Sequence, residues 1–533
     1  MKKFVLIGIC IMMFLSGCSS SNENNDTNNI IGTQVGQADT INVKDDRDLT
    51  LSMRSATTLN PLLNKDASVD TVLRLLFEPL VSISYDQKIQ PSIAESWYYS
   101  EEGTALTINI KKNLKWHNGS DITAFDVVYS INVLKDADEN AVYKECVERI
   151  ISVDIIDTYS AIIRFSEAYV GNIYSLSFPI IPRSHYDGNS GKSIDFEPVG
   201  SGGYIFDSHV VAKEFILKSV ENSFNEKPKI EKIVVKITNS NDTDLYSFSQ
   251  KMIDCLLIDK VISGKSAFDQ DSNKFSYIND YYDFLGFNFS NDILNRINIR
   301  KAIAHAIPTD SIIEGAYLSS AVKANNPLNP ESWLNEQNKE DLYAYNLSLA
   351  KEYLELEGFL LQDGEKVRSK TNDNGEKVLE LSILVNAENS QGIQTAWKIA
   401  DELNGLGFSV TVESVDFNEY IQRLKLGEFD MFVGGWAVSV VPEFGNMFES
   451  TSIDNYINYK NEKMDELINN YRLSLSETAM KDNMSEILTK LNEDLPYISI
   501  AFGKSVLYTD RRISGANPLQ FDALNDIENW TIE

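Results

Sequence analysis

The residues that could do chemistry are few and poorly grouped. Gly191-Lys192-Ser193 and Gly264-Lys265-Ser266 look like the ends of phosphate-binding loops. Such a loop needs another Gly five residues before its second Gly, so that backbone N–H groups can wrap a phosphate. Tyr186 and Asp259 occupy those positions, and both candidates fail. Ser320-Ala321-Val322-Lys323 has the Ser-x-x-Lys spacing of a serine nucleophile beside an amine. Its expected Lys-Thr-Gly partner appears only as Lys370-Thr371-Asn372, far too soon in the chain. The four His, at 117, 185, 209 and 305, include no i, i+4 pair, and no two Cys are spaced for zinc. With 78 Asp and Glu, carboxylate pairs point nowhere in particular. The expectation is a protein that is not an enzyme and holds no cofactor or metal. Gly434-Gly435-Trp436 is more informative. Two glycines let a ligand approach the backbone closely, and the Trp adds an apolar face with one N–H donor.

The elements around that triplet read as α/β. Leu49–Met53 alternates as a strand, and Leu106, Ile108 and Ile110 share one face of another. Residues 73–77 predict a short helix ended by Pro79. Thr123-Ala124-Phe125-Asp126 has the pattern of a capping box. Ile233–Ile237 is β-branched and reads as a central strand. Arg300–Ile307 is helical until Pro308, and 346–357 is a helix that Gly358 can cap. A regular order follows: strand 378–385, helix 392–404, strand 408–415, helix 418–426 closed by Gly427, strand 429–433. That β-α-β-α-β run predicts a parallel sheet with right-handed crossovers. Gly434-Gly435-Trp436 then falls at the carboxyl end of its last strand, where open α/β sheets bind ligands. Helices at about 461–475 and 477–493 and a strand at 496–502 complete the reading.

The chain has 533 residues, 48 Lys and Arg against 78 Asp and Glu, and a net charge of −30. So acidic a surface repels phosphate, which excludes most nucleic-acid roles. Lys2-Lys3 precede an apolar run from Phe4 to Leu15, too short to span a bilayer and suited to export. Leu15-Ser16-Gly17-Cys18 follows, and it resembles the bacterial lipobox, in which the Cys is acylated and becomes the first mature residue. Residues 19–46 are polar and Asn-rich, and read as a disordered tether reaching roughly 30 Å. Cys146 and Cys255 remain in the body, and two separate thiols are favoured over a disulfide. The Asn- and Lys-rich composition suggests a low-GC Gram-positive source.

Four stretches carry a family resemblance. Pro91–Trp97, Lys115-Trp116-His117-Asn118-Gly119 and Thr123–Ser130 follow the pattern A-E-S-W, K-W-H-D-G, T-A-x-D-V-V-x-S. Pro198-Val199-Gly200-Ser201-Gly202-Gly203-Tyr204 is close to a G-T-G-P-Y turn. Phe287-Asn288 with Arg300–Ile307 matches an F-N and R-x-A segment, and Gly434-Gly435-Trp436 an A-G-W. In order and spacing the chain resembles the family 5 extracellular solute-binding proteins of ABC importers.

The resemblance implies a two-lobed periplasmic-binding-protein-like clamp (type II, cluster C-like) with an extra subdomain in the first lobe. Lobe I would comprise 47–82, 196–280 and 496–533, the added subdomain 83–195, and lobe II 281–495. It further implies a lipid-anchored monomer on the outer face of the cytoplasmic membrane. That protein captures a peptide or other small solute and passes it to an ABC permease with its ATPase subunits. Trp97, Trp116 and Arg300 are expected to be structural. Peptide-binding members place an Asp shortly after G-W to accept the ligand ammonium. Here that position is Ser439, with Glu443 as a substitute carboxylate. Thr57, Thr58, Tyr282, Asn288 and Phe502 are expected near the cleft with Gly435 and Trp436, although Tyr282 and Phe502 suit a core equally well. The alternatives are the same fold on a nickel chelate, oligosaccharide or opine, or a peptide-sensing receptor.

Overall fold

The computed structural model describes residues 47–533, except 190, 222–223, 225, 260–267, 269, 336–339 and 373–374. The export segment 1–17, Cys18, the tether to residue 46 and Gly264-Lys265-Ser266 lie outside the described residues.

Ser272–Phe287 and Tyr497–Asp510 are strands of 16 and 14 residues, where about 5–6 is usual. They pair antiparallel over most of their length. Ile278 faces Lys504, but Tyr282 faces Phe502, so the first strand carries extra residues at 279–281. A bulge of this kind bends a strand and raises its twist. Asn279 holds it: Nδ2 donates to the Asp259 carbonyl at 3.1 Å, and Oδ1 accepts from Tyr281 N–H at 3.1 Å. On one side of the bulge Cys255–Ile258 joins the pair. On the other side Met431–Ala437 and Ala321–Lys323 join it. One sheet thus continues on both sides of the bulge.

Leu49–Met53 lies parallel to Lys232–Ile237, which is internal to a four-stranded sheet with Glu214–Ser219 and Tyr204–Val210. An antiparallel sheet of Ala94–Tyr99, Ala105–Ile110, Ser160–Phe165 and Ile150–Asp157 packs with helix Ala124–Lys135. The two sheets share one apolar core. Beyond the bulge, Leu285 and Phe287 enter a second core, while Tyr282 and Phe284 enter a third. Alternate residues of a strand point to opposite faces, so these cores lie on the two sides of the long sheet.

The β-α-β-α-β order is present. Glu380–Asn386 is parallel to Ser409–Val415 in full register and to Met431–Ala437 at two positions. Helices Ser390–Leu406 and Phe417–Leu426 cross between them and end on left-handed Gly407 and Gly427. The helix expected over 73–77 starts earlier: Asp66 caps Ala67–Leu73, accepting from Ser68 and Val69 N–H. Residues past Leu73 leave the helix because other partners take their carbonyls. Ser201 and Gly202 N–H donate to Leu76, and Tyr204 N–H to Leu75. A Cβ on Gly200 would stand 1.8 Å from the Leu76 carbonyl oxygen, so that position admits glycine alone.

The family motifs prove to be fasteners. Thr123 N–H donates to Asp126 Oδ2 at 2.9 Å, closing the capping box, and Arg183 N–H donates to Asp126 Oδ1 at 2.8 Å. His117 bridges two motifs: Nε2 pairs with the Gly202 carbonyl at 2.9 Å, and Nδ1 accepts from Gly200 N–H at 3.3 Å. A carbonyl can only accept, which puts the ring proton on Nε2. Trp116 is buried. Cys146 and Cys255 are thiols, and burial pushes Cys146 up to about 12.

Arg300 is buried in helix Ile297–His305. Its guanidinium donates to the carbonyls of Asp494 at 2.6 Å, Leu495 at 3.2 Å and Leu294 at 2.7 Å. It thereby closes the carboxyl end of helix Glu477–Asp494, directly before the long strand begins at Tyr497. Arg300→Leu is expected to cost about 3 kcal/mol, because buried carbonyls lose their donors. Arg300→Lys, which keeps charge but not the fork, should fall between. Urea unfolding followed by circular dichroism checks both.

Candidate functional site

The Gly-Gly-Trp triplet lies inside Met431–Ala437, not beyond it. One side of that strand is paired throughout with Tyr281–Phe287. Its other side meets Glu380–Asn386 only at Met431 and Phe432. Tyr420 Oη caps the Val433 carbonyl at 3.0 Å. From Gly434 to Ala437, among the described residues, no strand occupies the second edge. Gly435 and Ala437 are exposed, and Trp436 is half-buried and stacked flat against Tyr456 with ring centroids 6.3 Å apart. This edge offers main-chain donors and acceptors to an extended ligand.

The glycines have more specific reasons than an open approach. A Cβ on Gly434 would lie 2.6 Å from the Phe432 ring and 3.1 Å from Tyr420 Oη. A Cβ on Gly435 would lie 2.6 Å from Asp283 Oδ1. Protein groups therefore fill the space over Gly434, while Asp283 leans over Gly435.

Beyond Ala437 the chain turns. Val438 N–H donates to the Asp280 carbonyl at 2.9 Å, tying the loop to the bulge. Ser439 is exposed, and its hydroxyl donates to the Val441 carbonyl. Glu443 is held by Arg472 through both oxygens, Nη2 to Oε1 at 2.8 Å and Nε to Oε2 at 3.0 Å, and it also accepts from Gly445 N–H. Arg472 also holds Glu449, Nη1 to Oε1 at 2.9 Å, so one guanidinium serves two carboxylates and the group keeps a net negative charge.

The other expected residues serve the fold. Tyr282 and Phe502 are fully buried with rings 5.2 Å apart, and Tyr282 Oη meets Ser499 Oγ at 2.7 Å. They pack beneath the edge. Asn288 is tied into the fold: Nδ2 donates to Gly427 and Phe429 carbonyls, and Oδ1 accepts from Ser290 N–H. Thr58 is buried, and its hydroxyl donates to the Gly191 carbonyl. Thr57 is exposed.

Two features were missed. The first is Asp283, a lone acid in the strand-like run Tyr281–Phe284, which was the available signal. The second is a cavity of about 550 Å³ with Glu78, Tyr143, Tyr204, Asp522 and Glu528 in its wall and Val440 reaching it from the loop after Trp436. Glu78 stands in Leu76-Phe77-Glu78-Pro79-Leu80, again an acid inside an apolar run. Burial, followed by repulsion from Glu528, pushes Glu78 up to about 7. Burial also raises Asp522.

A two-lobed fold with an open backbone edge beside a pair of long strands is a solute-binding architecture. The model of "Bacterial extracellular solute-binding proteins, family 5 Middle" matches residues 88–456, more than half of the chain. The chain belongs to that family of non-enzymatic ABC-importer components. It is 23% identical to the oligopeptide-binding protein AppA of Bacillus subtilis (strain 168), over 99% of both chains. It is 22% identical to the nickel-binding periplasmic protein of Escherichia coli (strain K12), over 80% of this chain and 84% of the other. A crystal structure of a nickel ABC transporter from Bacillus halodurans shares the fold at a TM-score of 0.77, with 16% identity, 91% of this chain and 99% of the other. No helix of the described residues is long and apolar enough to cross a membrane.

The cavity gives a pH prediction. A carboxyl whose folded pKa lies near 7 stabilises the fold fully below its unfolded value of 4.5, and this contribution is lost as pH rises through 7. Glu78→Gln should flatten the fall in stability between these values and raise stability at pH 8 by roughly 1–3 kcal/mol. Calorimetric melting from pH 4 to pH 8 measures it.

Proposed function

We propose that this chain is a lipid-anchored substrate-binding protein that captures an extended peptide by lobe closure and delivers it to an ABC permease with its ATPase subunits. The observation that carries the reading is the unpaired edge Gly434–Ala437 beside the two crossing strands. An extended peptide adds to such an edge through main-chain hydrogen bonds, whatever its side chains. The oligopeptide-binding relative matched over 99% of both chains supports the same ligand class.

In this reading lobe I is 47–82, 196–280 and 496–533, the added subdomain is 83–195, and lobe II is 281–495. The bulge at 279–281 is the hinge. Acylation at Cys18 holds a monomer outside the cytoplasmic membrane of a Gram-positive cell. Ser439 offers a hydroxyl where other members offer charge, and Glu443 is held with Glu449 on Arg472. The ligand therefore depends on backbone contacts more than on either residue.

Native mass spectrometry of purified residues 19–533 tests the ligand. A ladder of co-purified peptides is expected. A single non-peptide mass, such as a nickel chelate or sugar, would replace the peptide reading with another ligand on the same fold. Anchoring has its own test: Cys18→Ala should leave the membrane fraction on cell fractionation, and a variant that stays bound would refute acylation as the anchor.

A further inference from the structure

Three segments far apart in the chain meet at one oxygen atom. Gln520 Oε1 accepts from Gln87 Nε2 at 2.8 Å and from Asn329 Nδ2 at 3.2 Å. Gln87 and Asn329 are buried, and Gln520 is half-buried in the wall of a cavity of about 320 Å³. Two of the segments are stiffened by bonds of their own. Gln87 lies in the turn between strands Val81–Ile83 and Ile89–Pro91, where Ser84 Oγ donates to the Lys88 carbonyl at 2.9 Å. Its φ of 67° is in the left-handed region. Asn329 Oδ1 accepts from Glu331 N–H at 2.9 Å, and Asn326 Nδ2 donates to Asn335 Oδ1 at 2.9 Å. Further bonds cross the same joint. Trp333 N–H donates to the Asp86 carbonyl at 2.8 Å, and Tyr174 Oη donates to the Gln87 carbonyl at 3.3 Å. Val170 and Trp333 are both buried in the third core.

In the lobe assignment proposed above, Gln520 belongs to lobe I, Gln87 to the added subdomain, and Asn329 and Trp333 to lobe II. Resting on that reading of a closing clamp, we infer that Gln520 is a latch: its amide oxygen ties the turn at 84–88 to the segment 326–335 and holds the lobes shut in the arrangement of this structure. The apolar contact of Val170 and Trp333 adds adhesion without direction, whereas a shared acceptor fixes one register. All three side chains at the node are neutral amides. The latch therefore keeps its strength in salt that screens the exposed pair Lys88–Glu477. Each neutral bond has a modest net worth, so the latch can yield without unfolding either lobe.

The test is hydrogen exchange together with small-angle X-ray scattering of residues 19–533, as purified and after refolding from guanidinium to remove bound solute. The Trp333 amide reports on the joint directly, because its acceptor is Asp86 on the other side. Gln520→Leu removes the shared acceptor. In the refolded protein it should speed exchange at Trp333 roughly tenfold, the worth of two neutral hydrogen bonds, and enlarge the radius of gyration. Gln520→Glu keeps an acceptor oxygen and should follow wild type. Gln87→Gly suits the left-handed turn and removes one donor. It should move both readouts part of the way and add little to Gln520→Leu in the double variant. The three residues lie outside helices and strands, so each variant should melt within a few degrees of wild type. No change in either readout, or faster exchange with an unchanged radius, would overturn the latch. Wild type separates the two ways of failing: a radius that changes when solute is removed leaves the closure reading standing. A radius constant with and without solute, in wild type and variants alike, removes that reading as well.

Discussion

The antiparallel pairing of Ser272–Phe287 with Tyr497–Asp510 is the constraint on which the clamp depends. A continuous ladder of backbone hydrogen bonds resists stretching and shear, yet a bulge within it gives one place where bending costs little. Hinge closure needs this combination: stiff elements that meet at a few residues able to change their dihedral angles. Contacts far from this pair include Lys88 with Glu477 at 2.7 Å and Trp333 N–H donating to the Asp86 carbonyl at 2.8 Å. The ion pair is solvent-exposed and worth little.

The family motifs hold this ladder and its flanks in place. Arg300 closes the helix that feeds Tyr497, and Asn288 ties the start of the next segment to the end of helix Phe417–Leu426. His117 locks the Gly200–Gly202 turn, which in turn takes the carbonyls that end helix Ala67–Leu73. All of these bonds join residues far apart in sequence to backbone carbonyls or amides. Buried main-chain groups must be paired, and a side chain that reaches them becomes irreplaceable without touching a ligand. Asn288 is one such side chain, bonded to the carbonyls of Gly427 and Phe429.

What was legible followed from local rules. The capping box at Thr123, the left-handed Gly427 and the β-α-β-α-β order depend on residues within a few positions of each other. The length of the two crossing strands did not. Residues 496–502 read as a strand, but the continuation to Asp510 depends on pairing with Cys255–Ile258, some 250 positions away. Register is equally non-local, so the meeting of Gly435 with Asp283 could not be read from either segment alone. The early start of helix Ala67–Leu73 was local and still missed, because the apolar run at 73–77 outweighed the Asp66 cap.

The electrostatics separate two kinds of buried acid. Glu78 shares its cavity with Asp522 and Glu528, and burial, followed by repulsion from Glu528, raises it to about 7. An anion so placed is an uncertain anchor, since its charge depends on its neighbours. Asp283 differs in accepting a hydrogen bond from Tyr317 Oη and in facing Gly435 across the strand pair. The net charge of −30 acts at longer range, drawing cations toward the surface and fading with added salt.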